Sequence, residues 1–232
     1  MLPTLFAWTL VGQGALYSAA LPSVDEVVVR MIQREQERRS AFQGYTSVRR
    51  YVLDNQKHHK QADMLVRMTQ RKDGSKEFEI VTASGWSGAR KHVFPKLLEA
   101  EAEASRPGNP ENSRITPQNY SFSMLRTEEI EGRKAYVMGV SPKREDKYLT
   151  RGTIWIDAED FAIVRLEGEP AKSPSFWIKN VHFAHTYKKH GSFWLAASDN
   201  SVSEARIFGP TELRIDYFDY VLNEPSQEAK LR

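Results

Sequence analysis

Two apolar periods divide the chain. Val24, Val27, Val28, Met31 and Ile32 return at helical spacing, and Arg30, Arg34, Glu37 and Arg38 fill the rest of the wheel. Ser23, with Glu26 three residues later, forms a capping box, so a helix is predicted from there to about Ser40. After Gly44 the period falls to two. Tyr45–Asp54 and Ala62–Arg71 read as paired strands joined by a polar loop, and Lys72-Asp73-Gly74-Ser75 turns into a third strand, Lys76–Thr82. Pro95 fits the first turn of a second helix, Lys96 to about Ala104. Residues 106–117, with three prolines and a glycine, read as a loop. Strands then follow over Tyr120–Glu129, Lys134–Ser141, Thr153–Asp157, Phe161–Glu167, Phe176–Tyr187, Phe193–Ile207 and Thr211–Leu222. The prediction is a mainly β (α+β) domain: a curled antiparallel meander of about ten strands with two helices packed inside the curl.

The hairpin from Gly152 to Pro170 departs from simple alternation. Ile154 and Ile156 share one face and Trp155 takes the other. In the return strand Ala162, Val164 and Leu166 oppose Phe161, Ile163 and Arg165. A sheet with one wet face should be polar on that face. Here both faces carry apolar residues, so the side away from the helices must be covered by tight curvature, a ligand cavity or a partner.

Composition changes the picture at the N-terminus. Residues 2–24 carry no charge, Leu5–Val11 form a short apolar core, and Ser18-Ala19-Ala20 supplies small residues at a cleavage position. Residues 1–20 therefore read as a secretory signal peptide, although no Lys or Arg follows Met1. The remainder, 21–232, is expected to be a single exported domain. Cysteine is absent, which excludes disulfides, thiolate metal sites, a Cys nucleophile and an N-terminal lipid anchor on Cys. The net charge of +3 comes from mixed-sign segments such as Lys143–Lys147, so no nucleic-acid partner is expected.

Candidate chemistry is sparse. Gly85-Trp86-Ser87-Gly88-Ala89 is similar to a nucleophile elbow, but that motif needs a parallel α/β sheet, which the meander does not supply. His182 and His185 stand three apart on a strand and face opposite sides. No metal site, cofactor or enzymatic activity is expected. The methionines say more. Of six, Met64, Met68, Met124 and Met138 lie on predicted strands. Met64, Val66 and Met68 share a face, as do Tyr120, Phe122 and Met124, and Tyr136, Met138 and Val140. Such faces form either ordinary core or an adaptable wall for varied apolar partners.

The order of these motifs resembles the LolA/LolB-like lipoprotein-carrier superfamily, whose members include outer-membrane lipoprotein-sorting proteins. The matching residues are Gly152-Thr153-Ile154-Trp155-Ile156-Asp157, Ala162–Glu167, Gly191-Ser192-Phe193-Trp194-Leu195-Ala196 (with Ala196 where Pro is common) and Leu213–Tyr220. The resemblance spans about residues 23–222. It implies a half-open barrel closed by two helices around an apolar cavity. The implied function is non-enzymatic carriage of lipoprotein acyl chains or lipid through the periplasm toward the outer membrane, as a monomer, between membrane-bound donor and acceptor proteins. A sensor or regulatory module of envelope stress on the same fold is the alternative, and a hydrolase using Ser87 is a third. Met64, Val66, Met68, Phe122, Met124, Tyr136, Met138, Ile154 and Ile156 are the expected cavity residues. The family's cavity arginine is not assigned among Arg49, Arg50 and Arg67.

Overall fold

A computed structural model describes residues 21–106, 113–173, 178–205 and 209–223. The expected signal segment, 1–20, lies outside the described residues. The ten strands are β1 (Gly44–Asn55), β2 (Lys60–Arg71), β3 (Lys76–Gly85), β4 (Tyr120–Ile130), β5 (Arg133–Pro142), β6 (Thr150–Asp157), β7 (Ile163–Pro170), β8 (Ile178–His190), β9 (Phe193–Ala205) and β10 (Gly209–Leu222). They form one sheet in the order β3-β2-β1-β10-β9-β8-β7-β6-β5-β4, so β1 joins the last strand and every other neighbour follows in sequence. All ladders are antiparallel. Strands β3 and β4 are the two edges, and the sheet stays open rather than closing into a barrel.

Helix α1 (Val24–Ala41) begins where the capping box predicts: the Ser23 hydroxyl accepts the Glu26 backbone N–H at 3.2 Å. Asp25 and Glu26 sit in its first turn and Arg38 and Arg39 in its last, each complementing the helix dipole. Helix α2 (Phe94–Ala104) starts earlier than predicted. A π-helical turn over Ala89–Val93 leads into it, and both Ala89 and Phe94 are buried.

Both helices lie on one face, which follows from register. Directly opposed residues of an antiparallel pair share a face. Met124, Met138, Ile154, Leu166, His185, Asp199, Ile215, Tyr51, Met64 and Ala83 are successive partners across the whole sheet. Val27, Val28 and Met31 of α1 pack on the Met138–Ile154 end with Tyr136 and Ile156. Phe94 and Leu98 of α2 pack on the Tyr51–Met64 end with Val66. Each such apolar side chain contributes about 1.5–3 kcal/mol when fully buried.

The opposite face of the Gly152–Pro170 hairpin is covered from within the chain. Trp155 pairs with Arg165 but Ile156 pairs with Ile163, so Val164 is an inserted residue. Sequence alternation placed Val164 with Leu166. Instead the bulge sends Ile163 and Leu166 toward α1, while Val164 joins Ala135, Val137 and Trp155 in a separate cluster. The Arg165 guanidinium stacks 4.8 Å from the Trp155 ring, and Trp155 Nε1 donates to Glu128 at 2.9 Å. Phe161, predicted as the first residue of this strand, lies in the turn with φ 50°.

Strands β6 and β7 approach closely where Gly152 opposes Gly168. A Cβ on Gly152 would overlap the Glu167 carbonyl oxygen. Gly152→Val should therefore cost more than about 2 kcal/mol in chemical denaturation, through overpacking that backbone alone can relieve. Gly132→Ala is the comparison. Its φ is +79° with no atom within 4 Å of the added carbon, so strain alone should cost about 1 kcal/mol. Equal losses in the two variants would remove the close approach as a constraint.

Candidate functional site

Between the helices the sheet floor turns polar. His185 Nδ1 lies 2.5 Å from Asp199 Oδ1, and the Tyr217 hydroxyl donates to the other Asp199 oxygen. One strand further on, Arg49 is only 2% exposed. Its Nη1 donates to Glu101 of α2 at 2.7 Å, and Lys76 Nζ reaches the same carboxylate oxygen at 2.7 Å. The guanidinium packs 4.8 Å from the Tyr217 ring and 5.6 Å from Phe78.

Alternation explains why these groups converge. Ser47, Arg49 and Tyr51 occupy successive inward positions of β1. Among the described residues, Ser47 Oγ, Arg49 Nε and the Tyr51 hydroxyl are buried without hydrogen-bond partners. Burial pushes the Tyr51 phenol up to about 12 and raises Tyr217 and Tyr220 well above the ordinary range. Burial would raise Glu101 too, but the charges of Lys76 and Arg49 outweigh it and hold the carboxyl at about 2.

Two cavities flank the seam between β7 and β8. The first, about 400 Å³, lies between α1 and the sheet; Met31, Ile32, Ile115, Ala162 and Ile163 line it together with the charged Glu35, Arg38, Arg39 and Arg114. Arg38 also fixes α1 to the β6–β7 turn, donating to the Asp160 carbonyl at 3.0 Å. The second, about 450 Å³, includes Arg165, Thr186 and Ser198. Those three are direct partners of the Val137–Trp155 row, so this cavity opens on the helix-free face. Tyr187 and Trp194 line both cavities. The phenol of Tyr187 is held above the ordinary range by burial and by the charges of Asp199 and Glu35.

The expected cavity residues fall into three groups. Tyr136, Met138, Ile154 and Ile156 are buried beneath α1, with Phe122 and Met124 partly buried against them. Met64 and Val66 lie beneath α2, and Met68 packs with Tyr45 and Leu195. None of them lines either cavity. The cavity beside α1 is built from Tyr187, Trp194, Ile163 and Arg38, which sequence alternation alone did not single out. Ser87 follows an antiparallel edge strand, and His182 faces away from His185. Among the described residues no cluster of three or more His, Cys, Asp or Glu is placed to hold a metal, and no helix is long and apolar enough to cross a membrane.

No protein-family model matches the chain, and no curated protein matches it. Solved structures do. A LolA superfamily protein from Nitrosomonas europaea is 9% identical, with a TM-score of 0.45 over 91% of this chain and 99% of that one. A DUF1329 family protein from Desulfovibrio piger is 10% identical, with a TM-score of 0.43 over 90% and 97%. A putative outer membrane lipoprotein-sorting protein domain from Vibrio parahaemolyticus is 12% identical, with a TM-score of 0.40 over 86% and 94%.

The Arg49–Glu101 pair sets an acid limit. Glu101 has its carboxyl lowered from an ordinary 4.5 to about 2, so its contribution is complete above 4.5 and is lost as pH falls toward 2. Glu101→Gln leaves Arg49 buried with a neutral partner and should cost on the order of 3 kcal/mol at neutral pH. Denaturant titrations at several pH values check this. The gap between wild type and variant should narrow below pH 4.5, and a constant gap would exclude ionised Glu101 as its source.

Proposed function

We propose that this protein is a non-enzymatic carrier that shelters an acyl chain, of a lipoprotein or a lipid, during passage through the periplasm. The observation that carries this reading is the cavity of about 400 Å³ beside α1: Met31, Ile32, Ile115, Ala162 and Ile163 give it an apolar side, and Arg38, Arg39 and Arg114, with Glu35 among them, give it a mainly cationic one. Its volume is in the range of small-molecule sites. Each buried methylene would contribute about 0.8 kcal/mol, while Arg38 and Arg39 would hold an anionic head at the mouth. The chain binds its cargo without covalent chemistry, as release requires.

In this reading α1 is a cover that moves. Its core-facing contacts are Val27, Val28 and Met31, and its anchors at the far end are hydrogen bonds from Arg38. Lifting it uncovers Met138, Ile154 and Ile156, with Phe122 and Met124 at the margin, and lengthens the apolar wall. The methionines suit that wall because they adapt to varied chains. Residues 1–20 direct export, and donor and acceptor proteins at the two membranes load and unload the carrier.

Two measurements test the reading. Delipidated protein should take up a fluorescent fatty acid, and Ile163→Trp, which fills the cavity, should weaken uptake at least about tenfold without loss of the folded state. Absence of uptake by wild type would end the carrier reading. N-terminal sequencing of the protein from the envelope fraction should begin at Leu21. An intact Met1 in the cytoplasm would end the exported one.

A further inference from the structure

The cavity beside α1 changes polarity along the helix. Met31, Ile32, Glu35, Arg38 and Arg39 all line it, and their spacing of three and four residues puts them on one face of α1. That face runs from aliphatic to ionic over two turns, about 11 Å. The facing walls extend the aliphatic half: Ala162 and Ile163 where β7 begins, and Ile115 from the segment before β4. Ile115 and Ile163 both pack against the cluster beneath α1. Arg114, beside Ile115, adds a third guanidinium group to the lining. Its carbonyl oxygen accepts from Asn119 Nδ2 at 2.9 Å and from the Thr116 backbone N–H at 3.0 Å, which fixes this wall. Glu35 is the one carboxylate among the described lining residues. Arg39 Nε donates to it at 2.9 Å, and Arg38 Nη2 lies 3.6 Å from its other oxygen. The Glu35 and Arg39 side chains are 43% and 48% exposed, so their pairing is weak and exchangeable.

We infer that the cargo of this cavity is a single-chain amphiphile with a free anionic head, a carboxylate or a phosphate, and that Glu35 is the counter-ion this head displaces. This rests on the carrier reading and narrows its cargo from lipoprotein or lipid to the lipid. The acylated end of a lipoprotein joins several chains through thioether, ester and amide links, none of them charged, so it leaves the guanidinium groups unanswered. A free anion forms charge-assisted pairs with them. Volume points the same way. About 400 Å³ is near the lower end of small-molecule sites, room for one chain rather than several. The tail lies along Met31, Ile32, Ile115 and Ile163, and the head reaches Arg39. Glu35 holds Arg39 Nε, so an incoming anion enters against its charge and in exchange for it. Neutralising Glu35 releases that donor and removes the repulsion. Loss of a carboxylate from the lining therefore strengthens binding, a result that a purely structural Glu35 does not give.

The test titrates dodecanoate, dodecyl phosphate and dodecanol into delipidated full-length protein by calorimetry. The three share a chain and differ in the head. Wild type should bind both anions at least about fivefold more tightly than the alcohol. Glu35→Gln should tighten both anions about fivefold, Arg39→Gln should weaken both about fivefold, and neither should change dodecanol binding. Thermal unfolding confirms that the variants are folded. The anion bound more tightly identifies the head as carboxylate or phosphate. Equal affinity for all three ligands, or anion binding that Glu35→Gln leaves unchanged or weakens, would overturn the inference and leave the carrier reading standing. No binding of any of the three by wild type would overturn both.

Discussion

Two helices cannot cover ten strands. Strands stand about 4.8 Å apart and a helix with its side chains is about 10 Å across, so α1 and α2 together roof roughly half the width of the sheet. Both lie on the same face, at opposite ends of the cross-strand row from Met124 to Ala83. The strip left between them centres on β8 and β9, because Leu213 and Ile215 of β10 pack with the cluster beneath α2. Its residues answer the lack of cover chemically. His185 and Asp199 stand where the row would otherwise be apolar; they pair with each other, and Asp199 also accepts from the Tyr217 hydroxyl, one inward position along β10 from Ile215. The division of the face into two apolar ends and a polar middle follows from the shortage of helix.

The polar middle carries its own cost. Arg49 is almost completely enclosed and holds Glu101, so α2 is tied to the sheet by a charge pair as well as by Phe94 and Leu98. Exchanging such a pair for apolar residues is often neutral, whereas removing one partner leaves a buried charge. Here the pair is also incompletely supported, because Arg49 Nε and its neighbours Ser47 and Tyr51 keep unpaired polar atoms. Helix α1 is attached differently. Its end is fixed through backbone carbonyls of the β6–β7 turn, and its centre through aliphatic contacts that weaken gradually as the helix moves. Of the two roofs, α1 is the one whose displacement strands no buried charge.

Period and punctuation made the architecture readable. The capping box at Ser23, the Asp73-Gly74 turn and the strand spacing locate α1 and the successive hairpins, because each is a local consequence of backbone geometry. The methionine faces were readable for the same reason: alternation places Tyr136, Met138 and Val140 together whatever lies above them. What alternation cannot supply is a change of register. Val164 crosses to the other face because one residue is inserted opposite β6, and no residue type at that point announces it. The joining of β1 to β10 is likewise a long-range pairing without a local signature. The cavity beside α1 depends on both kinds of information, so Tyr187 and Trp194 read in sequence as ordinary strand aromatics.

The bulges connect the fold to its openings. Paired strands are in step until an inserted residue tilts one against the other and increases the local twist. Insertions occur at Val164 in β7 and at Ala197 in β9, on either side of β8. Strand β8 is thus held between two neighbours that each bend near the same level, and its ladder to β7 stops there. These two insertions, among several along the sheet, stand on either side of the seam whose two faces each carry a cavity.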